Sequence, residues 1–405
     1  MNAVVRWRWG VGLAACVVTV PMRAQVSQRD SAGISITSSA SPSRPADAVV
    51  LASSPRVVIS ARTDGGIRLQ SIQHVAVLSD SRIVVADAET GQLHYFSNTG
   101  TLLFSRAGLG TGADQIPGMR IVRRTVGDTV AISTGRTAVV RYDGTGSRVD
   151  TGVTPAPSGP PRQIVADVLA SGHHVVAALG PMEERPRGHI WVASLPLALR
   201  APSAATTVDL GAQPMTEMEQ TSSGPSPRWL SPVGVITGST SHVYVGFGSR
   251  YEVRAYGLDG ALQLIIRRAW TPIPISDADW ETWVIEWSKR WITSSGEQRI
   301  RDVQAMRDAP WADTLPAFSQ LLADRVGRVW VRRAHWQDAI AAGSLTDMPV
   351  VPSEWSVFDE RGVWLYDVTM PANFQAFEIG RDYVAGRMVT DKQQVAAVFQ
   401  LVPSR

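Results

Sequence analysis

Between residues 321 and 364 the chain runs in short stretches of alternating apolar and polar positions. Leu321-Leu322-Ala323 and Val329-Trp330-Val331 flank the polar turn Asp324-Arg325-Val326-Gly327, and Trp355-Ser356-Val357-Phe358 and Val363-Trp364 flank Asp359-Glu360-Arg361-Gly362. A period of two places one set of side chains on a buried face, so these stretches predict consecutive antiparallel strands. The pattern recurs along the chain. An aromatic residue stands four positions before a turn glycine at Phe96/Gly100, Tyr142/Gly146, Tyr256/Gly260 and Phe358/Gly362. Nineteen residues before the first three glycines lie Ser81, Gly127 and Ser241, and two positions after each a strand begins, at Ile83, Thr129 and Val243. The last copy spans 35 residues from Gly327 to Gly362, which implies an insertion of 16.

Residues 72–105 and 120–150 form the first two units. The third covers about 163–200, with strands predicted at 165–170, 175–179 and 189–193, and is followed by a Ser-, Thr- and Pro-rich loop over 201–227. A fourth unit spans 233–268 and the fifth begins at Leu321. Strands at 377–379, 383–388 and 395–401 make a sixth that is short of a strand or two. Arg56-Val57-Val58-Ile59-Ser60 stands apart from any unit and suits that vacancy. A four-stranded sheet cannot bury both faces alone, so such units stack around an axis and close by pairing the two chain ends. The prediction is an all-β chain, a six-bladed β-propeller over 53–405, preceded by a polar lead at 25–52 whose one apolar alternation is Ile34-Ser35-Ile36.

One stretch does not fit the strand period. Ser276-Asp277-Ala278-Asp279 has the form of a capping box, and Trp280, Trp283, Trp287 and Trp291 follow at helical spacing on one face. A second helical stretch over 296–306 leads to Pro310-Trp311. Six of the 14 tryptophans fall between Trp270 and Trp311. The expectation is a helical Trp-rich insertion, about 274–312, between blades four and five. Its indoles either pack on the propeller surface or form a lid or docking surface over the channel mouth.

Several stretches carry a resemblance. Asp30-Ser31-Ala32-Gly33-Ile34-Ser35-Ile36, the loop Ala107-Gly108-Leu109-Gly110-Thr111-Gly112, the segment from Leu321 and the tail Ile379-Gly380-Arg381-Asp382-Tyr383-Val384-Ala385-Gly386 resemble bacterial secreted six-bladed propellers of the NHL/TolB-like class. The resemblance runs from about Asp30 to the C-terminus, is looser in blades three and four, and implies a fold rather than an activity.

Charge and composition narrow the function classes. Arg6 and Arg8 precede an apolar run from Val11 to Val20, with Met22-Arg23-Ala24 before Gln25, so 1–24 reads as a signal peptide and the protein as secreted or periplasmic. Leu13-Ala14-Ala15-Cys16 gives the alternative of a lipoprotein acylated at Cys16. Removing 1–24 takes three arginines and no acid, leaving 36 basic and 36 acidic residues and no cysteine. Nucleic acid is thereby disfavoured as a partner, disulfides and thiolate metal sites are excluded, and no transmembrane segment is expected in the mature chain. Lysine occurs only at Lys289 and Lys392; the arginine excess reads as base composition, since it is not clustered.

Motifs for chemistry are scarce. Gly108-Leu109-Gly110-Thr111-Gly112-Ala113 matches G-x-G-x-x-A, but Pro117 and Gly118 break the helix a dinucleotide site needs. Neither a G-x-S-x-G elbow, a P-loop, H-E-x-x-H nor an EF-hand loop is present. His173 and His174 are neighbours on a strand and point to opposite faces, against joint metal ligation. Some enzymatic six-bladed propellers hold calcium or zinc in the central channel with carboxylates, Asn or His from inner strands. Here Asn98 and Asn373 are the only asparagines after residue 24. The positions preceding the inner strands are His74, Arg120, Arg123, Gln163, Arg228 and Asn373. They are solvated rim residues or a channel-mouth site in which Arg120 and Arg228 hold a polar or anionic ligand. These observations favour a non-enzymatic binding or scaffolding propeller, for a protein, glycan or small polar ligand, without catalytic residues, metal or cofactor. The alternative is a metal-dependent, lactonase-like hydrolase or lyase using calcium or zinc.

Overall fold

A computed structural model describes residues 26–60, 67–110, 112, 115–116, 118–134, 138–150, 162–182, 184–202, 207–342, 348–390 and 393–404. The proposed signal peptide, Cys16 and the proline-rich stretch at 155–161 lie outside them. The described chain is mostly β and forms six sheets of four or more strands, with one two-stranded ribbon.

Each large sheet has a core of sequential antiparallel neighbours. The first holds Ile72–Val77, Ile83–Asp87, Gln92–Phe96 and Leu102–Ala107, and the second Ile121–Arg124, Val130–Thr134, Ala138–Tyr142 and Arg148–Asp150. The aromatic residues of the repeat are buried at the ends of third strands, and the glycine four positions on occupies positive φ, +90° at Gly100 and +75° at Gly362. That conformation is available to glycine at little steric cost. The residue opening the turn fixes it: the Asp359 carboxylate accepts the Arg361 and Val363 N–H groups at 3.0 and 2.8 Å. This is an Asx turn, in which a side chain satisfies amides that the ladder leaves free.

Two stretches differ from expectation. The predicted loop at 201–227 is largely strand: Thr207–Thr221 pairs along Ile190–Arg200 and then with Gly224–Pro227, giving the third sheet a long arm. Backbone pairing with a full-length partner overrides the Thr-, Pro- and Gln-rich composition. The supposed polar lead also folds. Val26–Ser31 and Ile34–Ser39 form a hairpin, and Ile34–Ser39 adds in parallel to Leu262–Arg268 at the edge of the fourth sheet. Its buried positions include Thr37 and Ser39, which hide the apolar signature of a strand.

Packing follows the chain. Each of six buried apolar clusters is shared by consecutive sheets, and the one containing Ile59, Val75, Phe96 and Val398 joins the last sheet to the first. The first strands likewise touch in sequence around a closed circuit. The last sheet contains Phe374–Ile379, Tyr383–Thr390 and Gln393–Pro403, completed by Val49–Leu51 and Val57–Ile59, both antiparallel to the final strand. Between its two docking points the N-terminal segment crosses the fifth sheet, where the Ser43 and Arg44 N–H groups donate to the Trp364 and Leu365 carbonyls.

Helices α1 (Asp277–Trp291) and α2 (Gly296–Arg307) lie between the fourth and fifth sheets in sequence, and α3 (Trp336–Ala342) between two strands of the fifth. The capping box forms: Ser276 Oγ accepts the Asp279 N–H while the Asp279 carboxylate accepts the Ser276 N–H.

The 57–59 strand buries Val57 and Ile59 against both flanking sheets. Ile59→Ala should lower stability to urea by about 2–5 kcal/mol, and an unchanged unfolding midpoint would show that the junction contributes nothing.

Candidate functional site

All six first strands contribute to one small cavity, of about 40 Å³, where the circuit closes. His74, Arg123, Arg124, Arg325, Phe377 and Glu378 supply its side-chain chemistry, with Val168, Thr237 and Leu322 beside them. Ladder register accounts for the inward polar groups. The first strands of sheets one, three and six each carry a shift, between Ile72 and His74, between Val165 and Asp167, and between Ala376 and Glu378. A bulge inserts a residue and re-aims the next side chain, and here each bulge is followed directly by a buried His, Asp or Glu.

The charged groups are anchored unequally. Arg124 is held from two sides: Nε donates to Asp128 Oδ1 at 2.9 Å, and Nη1 donates to the Val77 carbonyl and lies 3.4 Å from Glu378 Oε1. Glu378 Oε1 also accepts the Val77 N–H at 3.1 Å and the Tyr383 hydroxyl at 2.5 Å. Burial and the neighbouring Glu378 charge push the Tyr383 hydroxyl far above its ordinary value, so it remains a donor. Arg123 Nη2 lies 3.1 Å from Asp167 Oδ1, a close ion pair without hydrogen-bond alignment. Burial raises the Asp167 carboxyl above the usual range, against the opposing pull of Arg123. Arg325 crosses from the fifth sheet to donate to the Arg124 carbonyl at 3.0 Å, and pairs with no carboxylate among the described residues.

His74 is the outlier. It is 2% exposed, its ring sits 5.6 Å from that of Phe377, and neither ring nitrogen has a hydrogen-bond partner. Burial, and then the charges of Arg123 and Arg325, lower its pKa well below the ordinary value, so the imidazole is neutral with one donor and one acceptor free. Among the described residues no group of three or more His, Cys, Asp or Glu is arranged to hold a metal ion.

Of the six residues singled out by sequence, His74 and Arg123 meet at this cavity. Arg120 is exposed, Gln163 is half-buried on the first strand of sheet three, and exposed Asn373 sits in a turn at φ +58°. Arg228 is occupied by Glu217 at 2.6 Å, Asp313 at 3.1 Å and Glu219 at 3.6 Å, which ties the long arm to the helical region. Three neighbouring carboxylates leave its guanidinium poorly suited to an added anion. Arg124, Arg325, Asp167 and Glu378 were not picked out by sequence. The adjacent pair Arg123-Arg124 and the arginine inside the Asp324–Gly327 turn were the available signals.

The tryptophans of the helical segment turn mainly inward. Trp280 and Trp283 are buried and stacked 4.9 Å apart, Trp283 lies 5.9 Å from Trp287, and Trp229 and Trp311 complete the stack. Trp291 is 46% exposed and donates Nε1–H to the Ile340 carbonyl at 2.9 Å. Stacked indoles at these separations bury large apolar areas, which makes them the core of the helical unit.

No family model matches the sequence, and no curated protein matches it. Solved structures do. A member of the DUF4221 family from Bacteroides vulgatus aligns with 89% of this chain and 100% of its own, at 7% identity and a TM-score of 0.54. A gluconolactonase from Xanthomonas campestris (89% and 99% coverage, 14% identity, TM-score 0.39) and the calcium-binding protein regucalcin from Agrobacterium tumefaciens (88% and 97%, 9%, 0.40) are also similar. At such identity the likeness is one of fold, a β-rich chain of propeller type. No helix of the described residues is long and apolar enough to cross a membrane.

Two measurements test this geometry. An unfolded histidine titrates near 6.5, so below that pH the unfolded chain takes up a proton that folded His74 refuses. Stability is therefore complete above about pH 6.5 and falls on acidification, by up to about 1.4 kcal/mol per pH unit for one such residue. His174, held at about 4 by burial, Arg200 and Arg141, acts in the same direction. Urea unfolding at pH 7 and pH 5 should show this loss, with a shallower slope in His74→Gln; identical slopes would mean the folded imidazole titrates normally. Trp283→Ala should cost about 3–5 kcal/mol, and Trp291→Ala under about 1 kcal/mol; comparable losses would contradict an inward-facing stack.

Proposed function

We propose that this chain is a six-bladed β-propeller, exported from the cell, that binds its ligand without transforming it and seats one anionic group of that ligand in the axial cavity. The six sheets are its blades, residues 49–60 close the ring, and the segment around 274–312 is a helical insertion between blades four and five. Export rests on the charged and apolar pattern of residues 1–24.

His74 is the observation that carries the reading. A buried polar group without a partner costs about 1–3 kcal/mol, and a ligand accepting the imidazole N–H removes that cost. The nearest charged groups felt by His74 are the guanidiniums of Arg123 and Arg325, which selects for negative charge. Arg325 has donors to spare, being bound through one carbonyl contact. The cavity holds little more than one water's share of liquid, about 30 Å³, so it admits one carboxylate-sized or halide-sized group. The cavity's acids are tied to protein groups, Glu378 Oε1 to Tyr383, the Val77 N–H and Arg124, and Asp167 to the ion pair with Arg123, which leaves His74 and Arg325 to meet a ligand.

Titration calorimetry with sodium formate, acetate and chloride at constant ionic strength tests the assignment. At least one should bind saturably to the wild type, and Arg325→Ala should weaken it about 10- to 100-fold, the scale of a lost charge-assisted hydrogen bond. Arg120→Ala, on the exposed surface, should leave affinity unchanged. Equal binding in the wild type and Arg325→Ala, or no saturable binding of any of the three, refutes the anion seat.

A further inference from the structure

A second site stands apart from the axial cavity. A groove of about 360 Å³ opens at the seam between the fourth and fifth sheets, lined by Arg268 and Trp270 from one side and Arg333, Glu354 and Asp367 from the other. Its volume falls at the small end of the range for small-molecule sites.

The groove is rigid where its chemistry sits. The Arg268 guanidinium is clamped between two rings, its Cζ 3.8 Å from the centroid of Trp364 and 5.2 Å from that of Tyr251. Its Nη1 donates to Ser356 Oγ, which in turn donates to Asp367 Oδ1 at 2.7 Å, and Trp364 Nε1 donates to the same oxygen at 3.0 Å. Asp367 is thus fixed through one oxygen while 48% of its side chain faces solvent. Across the groove Arg333 Nη1 donates to Glu354 Oε2 at 2.9 Å, with both side chains 51% exposed. Each carboxylate therefore keeps a second oxygen outside these bonds. The hydroxyls of Thr271 and Thr369 and the half-buried indole of Trp270 complete the lining.

Two arginines and two carboxylates cancel, so the groove has no electrostatic preference for an ion. What it offers is planar, paired acceptors and donors set beside an aromatic face. Neighbouring hydroxyls of a pyranose each donate and accept, and so match a carboxylate on one side and a guanidinium on the other. The apolar C–H face of the same ring stacks on indole. We infer that this seam groove is a binding site for a neutral sugar, with Asp367 and Glu354 accepting from ring hydroxyls and Trp270 carrying the ring face. The Arg268–Ser356–Asp367 chain is set before the ligand arrives, which lowers the ordering cost of binding.

The test uses the methyl glycosides of glucose, galactose, mannose and N-acetylglucosamine, titrated into the full mature chain and followed by calorimetry and tryptophan fluorescence. At least one should bind saturably, with an affinity that stays constant between about 0.05 and about 0.5 M salt, because a neutral ligand is not screened. Asp367→Asn and Glu354→Gln should each weaken it at least tenfold. Arg333→Gln, on the exposed rim and away from the Trp364 bond, should do the same should Asp367→Asn disturb folding. The inference is overturned if none of the four binds, if binding survives Glu354→Gln and Arg333→Gln unchanged, or if affinity collapses with salt, which would mark a charged ligand.

Discussion

Three backbone pairs, Ala396 with Ile59, Ala397 with Val58 and Val398 with Val57, join the two ends of the chain, and the other contacts of the circuit depend on them. Each sheet has two apolar faces and needs a neighbour on both, so an open row would leave two faces wet and one strand edge unpaired. The apolar cluster around Ile59, Val75 and Val398 exists only if the last sheet meets the first. The N-terminal segment does more than supply that strand. From its parallel pairing with Leu262–Arg268 it passes across Trp364 and Leu365 to the final strand, linking three consecutive sheets. Stability without disulfides is understandable in these terms, because closure is made by main-chain ladders and buried Val and Ile.

Closing the circuit also determines what the axis can contain. First strands converge there, side by side, with room for little beyond their own side chains. Three of them break register and turn His74, Asp167 and Glu378 inward. Burial, and then the charges of Arg123 and Arg325, keep the His74 imidazole neutral, while Glu378 accepts from Tyr383 and a backbone amide. The polarity of the cavity is thus a product of backbone irregularity in an otherwise regular repeat.

This explains which features could be read from the sequence. The aromatic-to-glycine interval was legible because it reports a local event, a third strand ending in a turn that demands positive φ, as at Phe96/Gly100 and Phe358/Gly362. The capping box at Ser276 and the inward spacing of the indoles were local too. The N-terminal hairpin and the long arm were not, since Thr37, Ser39 and Gln213 are buried polar residues whose partners lie far along the chain. For the cavity, His74 and Arg123 were found from their place at the start of inner strands. Asp167 and Glu378 were missed because a bulge shifts the alternation by one, and Arg325 because a turn residue is ordinarily solvated.

His74 is also where packing alone ceases to explain the chain. A phenylalanine there would cover the face of Phe377 as well, without desolvating two nitrogens beside two cations. Departures from local consistency in an otherwise consistent fold tend to mark functional positions. The seam groove differs in kind: its two arginines and two carboxylates balance in charge, and each carboxylate is already held by a neighbouring side chain. An anion seat is expected to change stability when filled, through the imidazole it satisfies. A ligand in either place raises stability by an amount set by its concentration and dissociation constant, so it is mutation, at Arg325 for the seat and at Glu354 for the groove, that separates the two sites.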